Sequence, residues 1–351
     1  MKHIKFKKII LLAGVLAAAS AHADEIFSVS GFGYQDYRQT NANSQDGADR
    51  RGTWENDILA FVISAKVSDR DSVSAQVEST ATEPTTMTWA FFNHNFSNNL
   101  SAHIGRVKYP LGIYNEFVDN KWLQLGVVQP SIYSPAADFV HDAYEGVGVD
   151  WTKGSLFTQV FAGNVYNNPP DTVTLPPFAD RRMIGGRITW NTPYKGLSFL
   201  ASGYRTQVES TTAVPYVQGQ GQLGNEDRWI LSLDYVSDRF DIKGEYAGHK
   251  VPELAGQAAV SSNAWYVQGG YKIGLWTPYV RYDSFVGDQG NSSDPSLYQK
   301  DWIVGVGYKI NDTVNARIED HVINGYGLTD PGTGSSTTDW NMIAAEINFI
   351  F

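Results

Sequence analysis

Between Phe27 and Phe351, apolar residues recur at every second position in short runs, and the runs are separated alternately by brief polar turns and by longer loops rich in Gly, Pro, Asn and Ser. Three runs show two distinct faces. Phe240, Ile242, Tyr246 and Gly248 alternate with Asp241, Lys243, Glu245 and His249; Trp302, Val304, Val306, Tyr308 and Ile310 alternate with Asp301, Ile303 and Lys309; Val314, Ala316, Ile318 and Val322 alternate with Asn315, Arg317, Glu319 and His321. A period of two belongs to strands with one apolar and one polar face. Counting such runs predicts an all-β chain of about 16 antiparallel strands, an even number as single-chain membrane barrels have. The brief turns fall at 68–72, 97–99, 152–155, 191–196, 237–239, 274–275 and 311–312, whereas stretches such as 288–299 and 324–337 are long. Transmembrane β-barrels have this asymmetry, with short periplasmic turns and long external loops.

The two ends of the chain point the same way. Lys2, Lys5, Lys7 and Lys8 precede an apolar run that closes on Ala21-His22-Ala23, the pattern of a secretory signal peptide; the expected division is a signal peptide at 1–23 and one barrel domain at 24–351. After Ala23 no apolar stretch approaches the roughly 20 residues of a membrane helix. Strands of a membrane barrel escape that test, because their apolar residues come only at alternate positions. In the last run Ile343, Ala345, Ile347, Phe349 and Phe351 share one face and Met342, Ala344, Glu346 and Asn348 the other. The last strand is expected to pair with the first and close the barrel, with its apolar face on outer-membrane lipid. A soluble β-sandwich is the competing fold.

Charge narrows the partners. The chain has 27 basic and 37 acidic residues, a net charge of −10; without the four leader lysines the count is 23 against 37, or −14. Nucleic acid is therefore not an expected partner. Cysteine is absent, in keeping with passage through an oxidising compartment. Trp54, Trp151, Trp190, Trp265, Trp276, Trp302 and Trp340 fall near strand ends, as aromatic girdles at the membrane interfaces do.

One connection breaks the pattern. Between a strand ending near Arg106 and another beginning near Tyr144 lies a stretch too long and too apolar for a surface loop, with Tyr114, Phe117, Trp122, Leu123 and Leu125 among its residues. It is expected to fold against the inside of the barrel wall and narrow the pore. Its G-R-x-x-x-P-x-G opening (Gly105, Arg106, Pro110, Gly112) resembles the inward-folded third loop of trimeric porins, with the phosphate-selective porin family and its general-porin relatives nearest in character. The terminal strand ending in Phe351 resembles the C-terminal signature by which the barrel-assembly machinery recognises Gram-negative outer-membrane proteins. The resemblance implies a homotrimer in the outer membrane that passes small hydrophilic solutes and ions through a water-filled channel, without a cofactor. If the segment is a constriction loop, Glu116, Asp119, Asp138, Asp142 and Glu145 supply negative charge to it, and Arg106 and Lys108 positive charge. Arg205, Lys243, Lys272, Arg281 and Arg317 are expected on the lumen wall opposite, so that opposed rows of charge sort ions by sign. A phosphate pore needs a dense run of basic residues. Here bases and acids are interspersed, which favours a general porin that is weakly cation-preferring or indifferent.

The same chain holds residues capable of other chemistry. His141, Asp142 and Glu145, with Asp138 upstream, are metal-capable but lack a diagnostic spacing, so no metal site is expected. His94, His103, His249 and His321 lie among serines, yet no nucleophile motif accompanies them, and a non-enzyme is expected. A barrel sheath enclosing a partner protein is the remaining alternative, as is, further off, an outer-membrane hydrolase.

Overall fold

A computed structural model describes residues 26–351 apart from 55–56, 82–83, 141, 167–177, 211–220, 255 and 257; the expected signal peptide at 1–23 lies outside the described residues. Among the described residues sixteen strands follow one another: β1 Phe27–Thr40, β2 Asp57–Lys66, β3 Asp71–Ser79, β4 Thr86–Ser97, β5 Leu100–Lys108, β6 Ala143–Lys153, β7 Leu156–Tyr166, β8 Phe178–Asn191, β9 Leu197–Ser210, β10 Leu223–Val236, β11 Phe240–Val251, β12 Val260–Tyr271, β13 Trp276–Val286, β14 Tyr298–Lys309, β15 Val314–Gly325 and β16 Asp339–Ile350. Each pairs antiparallel with its sequence neighbours, and β16 pairs with β1 from Phe32↔Ile350 to Thr40↔Met342, so the sheet closes on itself. Closure removes the edge strands, whose unpaired N–H and C=O groups could not be satisfied in hydrocarbon.

The alternation read from the sequence is the alternation of the wall. On β16, Ile343 and Ile347 are about half exposed on the outer face, while Trp340, Met342, Ala344, Glu346 and Asn348 are buried on the inner one. Trp340 is thus not a girdle residue: its indole Nε1 donates to the Gly325 carbonyl at 2.9 Å inside the barrel. Trp151, Trp190, Trp276 and Trp302 do stand on the outer face, and Trp54, in the β1–β2 loop, leans on Tyr37 with ring centroids 4.9 Å apart. Phe351 pairs through its backbone with Gly31 (2.9 and 3.0 Å) and sets its ring edge-on to Phe61. A Cβ at Gly31 would lie 2.2 Å from that ring, so the absence of a side chain there makes the closing contact possible.

The apolar core lies within the lumen, between the wall and the β5–β6 connection. Tyr109, Leu111, Ile113, Tyr114, Ile132, Tyr133 and Phe139 of the connection pack on Tyr144, Phe161, Met183, Tyr204, Ile230, Tyr266 and Phe285 of β6 to β13. On the other side Val127 and Val128 pack on Ile323, Trp340, Met342 and Ala344. Each large side chain buried in this way stabilises the fold by about 1.5–3 kcal/mol relative to exposure, which explains why so apolar a connection turns inward.

Candidate functional site: the lumen and its inserted segment

The wall turns into the lumen at Lys108. Up to that point β5 alternates, with Leu100 and Ile104 exposed on the outer face and His103 inside, bonded to the Tyr144 hydroxyl at 2.8 Å. Arg106 shares the parity of Ile104, so it lies on the outer face, where it pairs with Glu145 at 3.0 Å and donates to the Met87 carbonyl at 2.7 Å. The expectation that Arg106 and Glu145 face the constriction is therefore corrected. Lys108 has the same parity but ends the strand, and the chain's turn carries its ammonium inward to Asp119 (2.6 Å) and Asp142. Three of the expected constriction residues are thus brought into one cluster.

The other expected acids are distributed along the segment. Glu116 pairs with Arg187 of β8 at 2.5 Å, and Asp119 also accepts from Gln76 of β3 at 3.1 Å. Asp138, in a left-handed conformation (φ 54°), accepts from Arg228 of β10 at 3.1 Å. Burial raises the Asp142 carboxyl above its ordinary range, with the Lys108 ammonium opposing the shift. His141 lies outside the described residues.

Three of the five expected wall bases line the lumen. Lys243 is buried between Asp234 and Asp241; Arg281 donates to the Val128 carbonyl at 2.8 Å; Arg317 donates to the Lys121 carbonyl at 2.7 Å and pairs with Glu346 at 3.1 Å. Arg281 and Arg317 hold the segment by its backbone as much as they charge the pore. Arg205 is corrected: inner positions of β9 are Ser202, Tyr204, Thr206 and Val208, and Arg205 points outward, paired with Asp227 at 2.6 Å. Lys272 is corrected as well, since β12 ends at Tyr271 and Lys272 is exposed in the short turn to β13.

Sequence reasoning missed the acids that fasten the segment. Glu245 of β11 accepts from the Ile113 amide (2.8 Å) and from the hydroxyls of Tyr133 (2.6 Å), Tyr266 (2.8 Å) and Ser232 (2.5 Å). Asp283 of β13 accepts from the Ser131 amide and hydroxyl, and Glu319 of β15 from the Val128 amide at 3.0 Å. Backbone amides aimed at wall carboxylates are charge-assisted bonds, stronger than neutral ones. The available signal was an inward acid in mid-strand on three different strands, which a pattern of alternation alone does not separate from a solvated one.

Two cavities flank the segment along β1. One, of about 310 Å³, is lined by Tyr34, Arg38, Asp46, Lys121, Arg281 and Asp301 among others. The next, of about 410 Å³, is lined by Phe32, Gln76, Asp119, Asn120 and Phe351 among others. Between them Lys121 Nζ stands 5.5 Å from the centroid of the Tyr34 ring and donates to the Val127 carbonyl at 2.7 Å. Burial depresses the Lys121 pKa, and the nearby Glu346 carboxylate opposes the shift. A third cavity, of about 340 Å³, lies under the segment against β4 to β7, with Trp89, His103, Lys108, Glu116 and Tyr144 in its wall.

The four strand histidines face carboxylates: His94 with Asp71, His103 with Asp150, His249 with Glu226 and His321 with Asp301 and Glu319. Asp138, Glu226 and His249 converge within 4.8 Å, the one such metal-capable set among the described residues. Arg228 already donates to both carboxylates of that set, at 3.1 and 2.8 Å.

Comparison with known proteins agrees with this architecture. A family model described as phosphate-selective porin O and P matches residues 199–319, about a third of the chain, from β9 to the middle of β15. Among solved structures, OmpF of Salmonella typhi in complex with daunomycin is similar at 12% identity, over 93% of this chain and 97% of that one, with a TM-score of 0.63. OmpT of Vibrio cholerae is similar at 12% identity, over 93% and 97%, with a TM-score of 0.59. A mutant porin of Rh. blastica is similar at 14% identity, over 93% and 100%, with a TM-score of 0.53. No curated protein sequence matches. The chain has the closed sixteen-strand barrel fold of these outer-membrane porins, and over residues 199–319 it resembles the phosphate-selective porins.

Proposed function

We propose that the barrel is a passive channel for small hydrophilic solutes and ions, exported with residues 1–23 as a cleaved leader and assembled as a homotrimer by the barrel-assembly machinery. The observation that carries this reading is the inserted segment, 109–142, fastened across the lumen of a closed barrel with cavities of about 310 and 410 Å³ in series along β1. A segment so placed sieves by size, and the charges around it sort ions by sign. Lys108, Asp119 and Asp142 set the charge on one side of the segment, and Arg38, Lys121 and Arg281 on the other. The mixed signs support a general channel over a dedicated phosphate path. The reading requires no covalent step of any residue, and the role proposed is non-enzymatic. Trimeric assembly draws support from a similar structure described as the trimer form of OmpT of Vibrio cholerae.

Liposome swelling tests the proposal. Vesicles carrying the protein are expected to swell in small sugars, at rates that fall steeply from pentoses to disaccharides. Equal rates for all sugars would deny the segment a sieving role, and no swelling from correctly folded protein would sink the channel reading.

A further inference from the structure

Aromatic rings form an unbroken arc on the inner face of β4 to β7. Trp89 stacks on Phe91 at 5.5 Å, Phe91 meets His103 at 5.9 Å, His103 meets Tyr144 at 6.5 Å, and Tyr144 stacks on Phe161 at 4.9 Å. A Cβ at Gly148 would lie 2.1 Å from His103 Nε2, so the missing side chain on β6 is what lets the imidazole reach the Tyr144 hydroxyl. The arc bounds the cavity of about 340 Å³ under the inserted segment, and Trp89 and Phe91 are only partly covered there.

Toward the short turns the same cavity is lined by two acceptors with no hydrogen-bond partner among the described residues, Asp150 Oδ1 and Gln159 Oε1. They belong to direct cross-strand partners on β6 and β7, whose side chains start about 5 Å apart, so one donor group between them can reach both. Gln159 is only 9% exposed, whereas the Asp150 side chain is 22% exposed and open to a solute. Buried acceptors without a donor are costly, and this pair calls for one. The second oxygen of Asp150 stands 3.5 Å from His103 Nδ1, and no lysine or arginine among the described residues pairs with this carboxylate. Arg187, the next residue in the cross-strand row, is turned to Glu116. The other charges at the cavity are matched in the same way, Glu116 by Arg187 and Lys108 by both Asp119 and Asp142. With the imidazole neutral, the lining is therefore net negative.

We propose that this cavity binds a small organic ammonium solute passing through the channel. The ammonium donates to Asp150 Oδ1 and Gln159 Oε1, and the apolar body lies against Trp89 and Phe91. A cation is attracted both by the carboxylate and by the faces of the rings, so the two halves of the site act on one charge. A sugar would use the acceptors and the rings but leave the Asp150 charge unmatched, and an anion would be repelled. The inference rests on the channel reading for the solute's route and adds to it a class of solute.

Calorimetric titration of the folded protein in neutral detergent, with benzylammonium and with benzyl alcohol as its uncharged counterpart, tests the site without requiring conduction. Benzylammonium is expected to bind about tenfold more tightly. Asp150→Asn is expected to erase that difference, and Phe91→Leu to weaken benzylammonium about threefold. Asp312→Asn, exposed in the turn between β14 and β15, should change neither affinity. Equal affinity of the wild-type protein for the two probes, or binding of neither, would overturn the proposal without recourse to a variant. So would an undiminished preference in an Asp150→Asn protein that keeps its folded electrophoretic mobility. Glucose competing as strongly as benzylammonium would overturn the assignment to cations and leave a polyol site. A conducting barrel that fails to bind the amine sinks this inference alone, whereas one that binds it and passes no current supports the site and sinks only the channel reading.

Discussion

Removing the Glu245 carboxylate should loosen the inserted segment without opening the barrel wall. Of its four hydrogen bonds, two hold the segment, from the Ile113 amide at 2.8 Å and the Tyr133 hydroxyl at 2.6 Å; the other two come from Ser232 and Tyr266 on the wall itself. Bonds to a charged acceptor contribute about 1.5–3 kcal/mol each, so Glu245→Ala removes at most about 3–6 kcal/mol of anchoring. Water admitted to the vacated site rehydrates the released donors and returns part of that. A net loss of about 2 kcal/mol multiplies the population of the released segment roughly 30-fold. Hydrogen exchange of the peptide containing Ile113 reads this directly, and its protection should fall by a factor between 10 and 100, with single-channel currents becoming noisier. Glu245→Gln, which keeps one acceptor oxygen, should fall between the two. Unchanged protection around Ile113 in a folded Glu245→Ala barrel would refute the view that wall carboxylates fasten the segment.

Four further outcomes follow from the same geometry. Lys108→Met leaves Asp119 and Asp142 without their cation; one uncompensated charge about 7 Å from a permeating ion is worth ~0.6 kcal/mol in a water-like dielectric, for a cation and against an anion, so cation-to-anion permeability should rise roughly eightfold in reversal-potential measurements. Because burial lowers the Lys121 pKa, raising the pH neutralises this lysine before an ordinary one, and cation preference should rise on the alkaline side; Lys121→Met should abolish that rise. Phe351→Ser removes the ring that lies on Gly31 and Phe61, and because that ring is only half covered, urea unfolding should show a loss of about 1 kcal/mol, with Gly31→Val giving a comparable defect from the opposite side. Asp320 is exposed on the outer face of β15 between Ile318 and Val322, with Val304 and Ile343 as its cross-strand neighbours; Asp320→Leu should stabilise the barrel in lipid by about 1 kcal/mol, and a loss of stability would place the carboxylate in a polar contact between subunits.

The wall was legible because its rule is local. Alternation along β11, β14, β15 and β16 assigns nearly every side chain to lipid or lumen, and polar turns such as 237–239 fall between strands where they were expected. The inserted segment was legible too, from apolar residues such as Tyr114 and Phe117 in a connection too long to lie in water; Leu123, read the same way, is half exposed. Individual pore residues were harder. Arg106 and Arg205 differ from inward bases only in strand parity, and parity is lost if a strand start is misjudged by one residue. Lys108 shows the converse, because the chain's turn into the lumen overrides its parity. Arg38, Lys121, Arg187 and Arg228, which meet the segment or its cavities, went unnoticed because the sequence does not say which strand the segment crosses, and that is decided by packing between residues more than 60 positions apart.

The central claim is that the segment narrows an open channel and leaves it conducting. Single-channel recording of the purified protein in planar bilayers, with the reversal potential taken under a salt gradient, tests it most directly. Discrete ohmic steps, with a modest ion preference that shifts toward cations in Lys108→Met, are the expected result. Folded, inserted protein that passes no current would contradict the claim and make the segment a plug.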